Sequence, residues 1–204
     1  MLNAAIYGLG RWGNRLVESV QGSGKIRFVK GISREPEKHK EFSQKTGVKV
    51  VSSYGRILKD PEIHAVVLAT PHSLHVKQIV QAAKAGKHVF VEKPFTLTRK
   101  TAEKAVAAVK AAGVTLGVGF NRRYAPSFVE MTNRIRAGAI GDVLHIEATH
   151  SGPTGYGLKP NTWRSIRPET PGAGMTARGA HTLDAMIRIA GPVSRVYAFR
   201  DQRK

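Results

Sequence analysis

The sequence lacks cysteine altogether, contains no long apolar run and holds few acidic residues. Without cysteine, disulfide bonds, thiolate metal sites and cysteine nucleophiles are excluded, and we predict no metal site. Because no stretch of about 18 apolar residues occurs and the N-terminus has no basic flank, we predict neither a membrane span nor a signal peptide. These absences favour a globular protein of a reducing compartment, and we expect the cytoplasm as its location.

The scarcity of acidic residues leaves the chain strongly basic, with 33 Lys and Arg against 14 Asp and Glu and a formal net charge of +19. Such a charge suggests nucleic acid, a membrane surface or an anionic small molecule as a partner. The basic residues are spread along the chain without a dense block, whereas nucleic-acid binders usually cluster them on one face. We therefore expect a solvated basic surface that aids capture of phosphorylated ligands, and no nucleic-acid partner.

Short apolar runs alternate with amphipathic stretches up to about residue 120, which is the pattern of βαβ units in a doubly wound parallel α/β sheet. Strands are predicted at 2–7, 26–32, 48–51, 65–70, 88–91 and 114–118. Helices are predicted at 11–21, 35–46, 72–85 and 98–112, with a shorter turn at 54–59. We assign residues 1–120 to a first domain.

The remaining residues, 121–204, have a different texture and are assigned to a second, incomplete α/β domain. Helices are predicted near 125–136 and 176–190, strands near 143–149 and 193–199, and a Gly/Pro-rich stretch at 152–174. Two strands make a marginal sheet with open edges. We expect a partner chain or further residues to complete it.

The spacing Gly8-x-Gly10-x-x-Gly13 follows a predicted strand directly and opens a predicted helix, the context in which this motif binds a dinucleotide. Gly8 permits a tight turn, Gly10 lets the backbone approach a pyrophosphate, and Gly13 lets the helix lie close to the strand. The helix N-terminus supplies N–H donors and a positive dipole. A glycine-rich turn without a ligand is the alternative.

The end of the second predicted strand bears on the choice of cofactor, because an acidic residue there binds the ribose 2′-hydroxyl of NAD, whereas basic and hydroxyl groups accept a 2′-phosphate. The chain has Ser33, Arg34 and Lys38 at this place. A guanidinium pairs well with phosphate and stacks on adenine. We therefore predict NADP as the preferred cofactor, with NAD as the alternative if Arg34 is simply solvated.

Two further strand ends carry polar residues where a doubly wound sheet binds its ligand. The first is the segment 69–75, Ala-Thr-Pro-His-Ser-Leu-His, and the second is Glu92-Lys93-Pro94. A surface ion pair is one interpretation of Glu92 and Lys93. The other is that Lys93 lies near a nicotinamide ring, has a lowered pKa and acts as an acid or base.

Together with the glycine spacing, these segments, Asn121-Arg122-Arg123 and the run 179–184 (Gly-Ala-His-Thr-Leu-Asp) resemble the Gfo/Idh/MocA oxidoreductases along nearly the whole chain. The resemblance implies an N-terminal Rossmann domain and a C-terminal domain whose open sheet covers the nicotinamide and forms the substrate pocket. It also implies hydride transfer between a nicotinamide and a sugar, cyclitol or related polyol or carbonyl. A homo-oligomer through the C-terminal sheet is expected for the same reason.

The resemblance places the family's catalytic lysine at Lys93 and a histidine facing the substrate at His181, for which a helix-cap or core histidine is the alternative. Asp184, one helical turn on, either orients the imidazole or caps its own environment. The predicted cofactor-binding residues are Gly8, Leu9, Gly10, Arg11, Trp12, Gly13, Ser33, Arg34, Lys38, Thr70, Pro71, His72, His75, Glu92, Lys93 and Asn121. The predicted substrate residues are Trp163, Arg164 and Asp184.

The chain departs from the family pattern at one position of the predicted site. Many members have an aspartate four residues before the histidine, where this sequence has Ala177. A methyl group neither transfers nor orients a proton. A dinucleotide-binding protein with weak or no catalysis, or a truncated remnant, is therefore the alternative function.

Overall fold

Six parallel strands form a sheet in the computed structural model, which describes residues 1–153, 157–160 and 162–199. The strands are β1 (Leu2–Tyr7), β2 (Ile26–Ile32), β3 (Lys49–Val51), β4 (Ala65–Leu68), β5 (His88–Val91) and β6 (Leu116–Val118). Their order is β3-β2-β1-β4-β5-β6, and every neighbouring pair is parallel. This is a doubly wound sheet whose strand order reverses between β1 and β4. The predicted α/β fold is confirmed.

The helices connect the strands and cover both faces of the sheet. They are α1 (Arg11–Glu18), α2 (Lys40–Thr46), α3 (Tyr54–Lys59), α4 (His75–Lys84), α5 (Arg99–Ala111), α6 (Pro126–Arg136) and α7 (Ala180–Ala190). Short 3-10 turns span Pro36–His39, His72–Leu74 and Asn121–Tyr124. Local sequence sets several ends: Thr98 and Thr101 form a reciprocal capping box at the start of α5, and Gly47, with φ +72°, ends α2.

The core lies on both faces of the sheet, because successive side chains of a strand point to opposite faces. Ile6 of β1 belongs to the same apolar cluster as Val17 of α1, whereas Ala5 belongs to the cluster that contains Ile79 of α4. Burial on both faces explains why the central strand β4 is a continuous apolar run. Each fully buried aliphatic side chain stabilises the fold by about 1.5–3 kcal/mol. The buried sheet therefore holds the loops at its carboxyl edge in fixed positions.

The second part of the chain differs from its prediction. Both predicted helices are present, one as α6 and one as a π-helical turn (Met175–Gly179) that continues into α7. The strands predicted at 143–149 and 193–199 are wrong, since neither segment forms a strand. Leu144 and Val196 are 93% and 75% exposed. A short apolar segment without a neighbouring strand has no partner for its N–H and C=O groups.

This difference removes the two-stranded sheet on which the predicted self-association rested, and the homo-oligomer stays a prediction. The predicted Gly/Pro-rich stretch 152–174 is irregular where the structure describes it, and its residues 154–156 and 161 lie outside the described residues. The division of the chain at about residue 120 also stays a prediction.

Two kinds of feature are absent from the described part of the chain. No helix there is long and apolar enough to cross a lipid bilayer. Within the same residues, no group of three His, Asp or Glu side chains comes together in a way that would hold a metal ion. The polar side chains of the candidate site lie at the carboxyl edge of the sheet, in the loops that follow β1, β4 and β5.

Candidate functional site

The glycine loop between β1 and α1 has the geometry that its spacing predicts. Gly8 has φ +104°, a left-handed conformation that favours glycine, and a Cβ there would collide with the main chain of Ala69. A Cβ on Gly13 would overlap the carbonyl oxygen of Gly8. A Cβ on Gly10 would meet nothing within 4 Å. The fold itself thus requires Gly8 and Gly13, whereas the space beside Gly10 is open at the N-terminus of α1.

The other residues of this loop divide between the core and the edge. Leu9 is buried, and its side chain fills the space beside Gly31, where an added Cβ would lie 3.1 Å from Leu9 Cδ1. Arg11 is exposed at the start of α1, and Trp12 is half-buried beside Glu92. Leu9, a predicted cofactor residue, therefore supports the loop from inside through its side chain.

Polar side chains cluster after β2, where the adenosine ribose was predicted to bind. Ser33 Oγ accepts a hydrogen bond from the main-chain N–H of Glu35 at 3.2 Å and lies 3.0 Å from His39 Nε2. Lys38 Nζ pairs with Glu35 Oε1 at 2.6 Å, and both side chains are more than half exposed. Exposed pairs of this kind contribute little to stability, so the contact with Glu35 holds Lys38 only weakly. Arg34 is exposed, and His39 was missed by the sequence prediction.

The segment after β4 is held from inside by two buried side chains. The Thr70 hydroxyl donates to Gln78 Oε1 at 2.6 Å. His75 Nε2 lies 3.1 Å from the carbonyl oxygen of Thr70, and its Nδ1 lies 3.1 Å from that of Pro94. His75 is fully buried, and burial lowers its pKa. His75 was predicted to bind the cofactor, but its imidazole joins the loop after β4 to the loop after β5. Pro71 directly precedes the 3-10 turn His72–Leu74.

Glu169 fastens the second part of the chain to this edge. Its carboxylate accepts hydrogen bonds from the main-chain N–H of Ser73, at 3.0 Å, and from the Ser73 hydroxyl. Its main-chain oxygen accepts from His72 Nδ1 at 2.7 Å. The ring of Trp163 meets the His72 ring edge to face, with centroids 4.9 Å apart. A predicted substrate residue, Trp163, thus lies against a predicted cofactor residue, His72, whose pKa is lowered by burial.

Glu92 and Lys93 follow β5 and are not a surface ion pair. Glu92 is buried, and burial raises its pKa. Lys93 precedes a cis peptide bond to Pro94, and its Nζ donates to the carbonyl oxygen of Ala177 at 2.8 Å. Burial lowers the pKa of Lys93 and Glu92 opposes this shift. The amine is thus partly desolvated at the carboxyl edge, which suits a group that exchanges a proton.

His181 stands on the first turn of α7, near Lys93. Its ring meets Phe120 edge to face at 6.1 Å, and its Nδ1 is buried without a hydrogen-bond partner among the described residues. Burial lowers the pKa of His181 to about 4, and the positive charge of Lys93 acts in the same direction. His181 is therefore neutral at ordinary pH.

Asp184 does not orient His181, although its position one turn later allowed that interpretation. Its carboxylate accepts two hydrogen bonds from Arg123, one of them from Nε at 2.7 Å. Asp184 is 9% exposed, and the bidentate pair raises the pKa of Arg123. The pair joins α7 to the turn after β6. Asp184 thus positions the helix that carries His181, and its carboxylate is already satisfied.

Two more arginines lie close to Lys93. The guanidinium of Arg164 stacks over the Trp163 ring, 4.1 Å from its centroid. Burial lowers the pKa of Arg164, and the nearby charge of Arg11 lowers it further. Arg164 also acts on Lys93, whose pKa its charge lowers. The predicted substrate residue Arg164 is therefore near enough to interact electrostatically with both Arg11, at the glycine loop, and Lys93.

Arg122 is the other arginine, and sequence reasoning named it only as part of a motif. One of its guanidinium nitrogens lies 3.4 Å from His150 Nε2, and His150 Nδ1 lies 3.3 Å from the Thr182 hydroxyl. Its charge lowers the pKa of both Lys93 and His181. Its neighbour Asn121, a predicted cofactor residue, is exposed at the start of the same turn.

Comparison with known proteins identifies the family to which this chain belongs. The model of the Gfo/Idh/MocA oxidoreductase family, described as an NAD-binding Rossmann fold, matches residues 2–120. The chain belongs to the Gfo/Idh/MocA family. The model of this family's C-terminal domain matches residues 128–204, so the resemblance read from the motifs is confirmed.

Three Gfo/Idh/MocA relatives illustrate the similarity. Scyllo-inositol 2-dehydrogenase (NAD(+)) of Bacillus subtilis is 36% identical over 149 residues, which is 71% of this chain and 43% of that protein. The 1,5-anhydro-D-fructose reductase of Ensifer adhaerens is 32% identical over 171 residues, 80% of this chain and 50% of that one. The crystal structure of aldose-aldose oxidoreductase from Caulobacter crescentus, complexed with glycerol, is 29% identical with a TM-score of 0.80, covering 93% of this chain and 58% of that one.

The chain spans about half the length of the curated relatives it matches. Of the site residues that the sequence did not predict, Arg122 had a signal in the Asn-Arg-Arg motif of the family. Glu169 had none, because its partner Ser73 lies 96 positions away.

Proposed function

We propose that this protein transfers hydride between a nicotinamide dinucleotide and a CH–OH or carbonyl group of a sugar, cyclitol or related polyol. The observation that supports this most strongly is that the partly desolvated Lys93 and the neutral His181 come together at the carboxyl edge of the sheet. That edge also holds the glycine loop, and ligands of doubly wound sheets bind there, at the point where the strand order reverses.

The glycine loop fits a dinucleotide. The space beside Gly10 is open within 4 Å, so a pyrophosphate can approach the main chain at the N-terminus of α1. Gly10 precedes the first helical residue, and its own carbonyl accepts from Asn14 N at 3.0 Å. Arg11 adds a positive charge at the same place. A β-carbon at position 10 would fill this space without disturbing the protein, which is the behaviour expected of a glycine kept for a ligand.

A nicotinamide ring supplies the hydride acceptor or donor when the cofactor is bound. Oxidation of a carbinol carbon also releases the hydroxyl proton, and the residues of this chain must take it up. Lys93, with its pKa lowered by burial, accepts that proton as a neutral amine. His181, neutral at ordinary pH, accepts a hydrogen bond from the same or an adjacent hydroxyl. In the reverse direction Lys93 returns the proton to the alkoxide oxygen.

NADP is proposed as the preferred cofactor. Arg34 and Lys38 are exposed beside Ser33 at the end of β2, the position that carries the 2′-oxygen of the adenosine ribose in this fold. A 2′-phosphate would receive charge-assisted hydrogen bonds from both basic side chains. With NAD, the Arg34 guanidinium would retain only stacking on the adenine.

A polyhydroxylated substrate is supported by the relatives, whose names specify an inositol, an anhydrofructose and an aldose. Trp163, which meets His72 edge to face and has the Arg164 guanidinium over its ring, is an aromatic side chain of the kind that contacts the C–H face of a sugar ring. A dinucleotide-binding protein without turnover is the second candidate, favoured by the contact of Lys93 with the main-chain oxygen of an alanine, Ala177, which has no carboxylate.

The test measures coenzyme binding and turnover on the same preparation. Binding of NADPH and NADH is followed by the coenzyme fluorescence, and oxidation of a panel of sugars and cyclitols by the absorbance of the reduced coenzyme. The proposal predicts saturable binding and reduction of NADP with at least one compound. Binding without turnover of any compound would favour the second candidate, and no binding of either coenzyme would contradict both.

A further inference from the structure

The two adjacent arginines Arg122 and Arg123 differ in whether a carboxylate of the protein neutralises their charge. Arg123 is paired with both oxygens of Asp184, whereas Arg122, the preceding residue, has no carboxylate partner among the described residues and contacts His150. Two adjacent arginines therefore have different roles. The Arg123 guanidinium is paired with Asp184 of α7, whereas the Arg122 guanidinium has N–H groups available to bind a ligand.

The Arg122 side chain is exposed, and its contact with His150, which in turn contacts Thr182, places the guanidinium beside the first turn of α7. Arg122 is close enough to Lys93 and to His181 for its charge to lower the pKa of both. Arg164 acts on Lys93 from the side of the glycine loop. Glu92, which is buried, and Asp184, which is committed to Arg123, are the carboxylates that act on Lys93 and His181. Like charges that act on one another in this way repel unless an anion neutralises them.

The pyrophosphate of a dinucleotide accounts for only part of this charge. Arg11 begins α1 at the glycine loop, and its charge acts on Arg164, so we assign both arginines to the pyrophosphate. Arg122 acts on His181 and contacts His150, and Thr182 of α7 lies beside His150. It therefore lies on the side of Lys93 on which the substrate, and not the pyrophosphate, is expected to bind.

We propose that the substrate carries a carboxylate or phosphate group and that Arg122, assisted by His150, binds this group next to Lys93. The inference rests on the oxidoreductase function proposed above and narrows its substrates to sugar acids or sugar phosphates. A planar guanidinium matches either anion through two parallel hydrogen bonds. Arg122 is then a determinant of specificity, and it touches substrate without exchanging a proton.

Matched ligands test the inference through binding alone. With the 204-residue chain saturated with NADP, the affinities of D-glucose, D-glucuronate and D-glucose 6-phosphate are measured by calorimetry, and the same is done for myo-inositol and its 1-phosphate. At least one anionic member is expected to bind about tenfold to a hundredfold more tightly than its neutral counterpart, as for charge-assisted hydrogen bonds. The comparison of D-glucuronate with the sugar phosphates shows whether the site binds a carboxylate or a phosphate.

Variants assign the preference to its residue. Arg122→Met should remove most of the preference, and Arg122→Glu should make the neutral member bind more tightly than the anionic one. The control is Arg134→Met, an exposed arginine of α6 paired with Glu130, which should leave every affinity unchanged. NADPH affinity should change less than about twofold in all three variants, since Arg122 is assigned to the substrate.

Equal affinities of neutral and anionic members, or no saturable binding of any anionic probe, would overturn the inference. So would a loss of NADPH affinity in Arg122→Met with an unchanged anion preference, because Arg122 would then belong to the cofactor site. A chain that binds NADP and neutral sugars alone contradicts only this inference, whereas failure to bind either nicotinamide coenzyme contradicts the proposed function.

Discussion

The ammonium group of Lys93 donates a hydrogen bond to the main-chain oxygen of Ala177 at 2.8 Å. The side chain at position 177 is a methyl group, so the π-helical turn before α7 positions the lysine through its backbone. A carboxylate at this position would favour the charged amine, whereas a carbonyl dipole does so less strongly. Lys93 is thus oriented toward the site and still loses its proton more easily than an exposed lysine does.

Replacing Lys93 with methionine should reduce turnover about a hundredfold to ten-thousandfold, the usual contribution of a general acid or base. Methionine keeps much of the side-chain volume and removes the amine, so NADPH affinity should change by less than about twofold. Steady-state kinetics and an NADPH titration on one preparation check both. Lys104→Met, on the exposed face of α5, is the matched control, and unchanged turnover in Lys93→Met would remove the lysine from the mechanism.

The pH profile of polyol oxidation should follow the proton of Lys93. Burial lowers its pKa below the ordinary value of 10.5, and the neutral amine is the active form in oxidation, so kcat/KM rises with pH and levels off below pH 10.5. His181, with a pKa of about 4, stays neutral from pH 6 to 9 and adds no inflection there. The ascending limb should be absent in Lys93→Met. A limb near pH 6.5 that disappears in His181→Asn would contradict this assignment.

The pair of Arg123 with Asp184 should matter for stability more than exposed pairs do. Arg123→Met leaves a buried carboxylate without its donor and should lower the free energy of unfolding by about 1.5–3 kcal/mol. Arg134→Met breaks a pair whose side chains are 71% and 60% exposed and should change it by less than about 0.5 kcal/mol. Urea denaturation gives both values. The double variant Arg123→Met/Asp184→Leu should recover part of the loss, and equal losses in the two single variants would be inconsistent with this role.

The sequence predicted the sheet well because strand and helix patterns are local. The six strands of the first 120 residues alternate with amphipathic stretches, and the polar groups at their ends follow from the chain direction. Parallel strands bring their carboxyl ends to the same edge, so the glycine loop, the segment after β4 and Lys93 had to meet. The glycine motif at 8–13 is also local, and its spacing predicts the tight turn at Gly8 and the close packing at Gly13 that the structure has.

Contacts between distant segments were not predictable in the same way. Glu169 and Ser73 lie 96 positions apart, and Arg123 and Asp184 lie 61 apart. Neither pair has a local pattern. The segment 143–149 alternates as a strand does, yet a strand requires a partner to form its hydrogen bonds. Histidine is a residue type that is common at functional sites, and only the complete burial of His75 shows that it supports the loops from inside.

Arg34 should determine the choice between the two coenzymes. Arg34→Ala removes a charge-assisted contact to the 2′-phosphate and should weaken NADPH binding about tenfold to a hundredfold, with NADH changed by less than about twofold. Arg99→Ala, at an exposed residue of α5 that is paired with Glu103, should affect neither coenzyme. Equal dissociation constants of the wild-type chain for NADPH and NADH would contradict the proposed preference for NADP.

A fluorescence titration of Gly10→Ala with NADPH tests the central claim most directly. Gly10 has φ −78° and no atom within 4 Å of an added Cβ, so the variant should fold with an unchanged melting temperature. The methyl group would occupy the approach of the pyrophosphate, and NADPH affinity should fall at least about a hundredfold. Gly24→Ala, which also adds a methyl group to open space, should bind as the wild type does. Saturable binding by the wild type that is weakened at least about a hundredfold in Gly10→Ala is the predicted result. Equal binding by the two, or none by the wild type, would contradict a dinucleotide site at this loop.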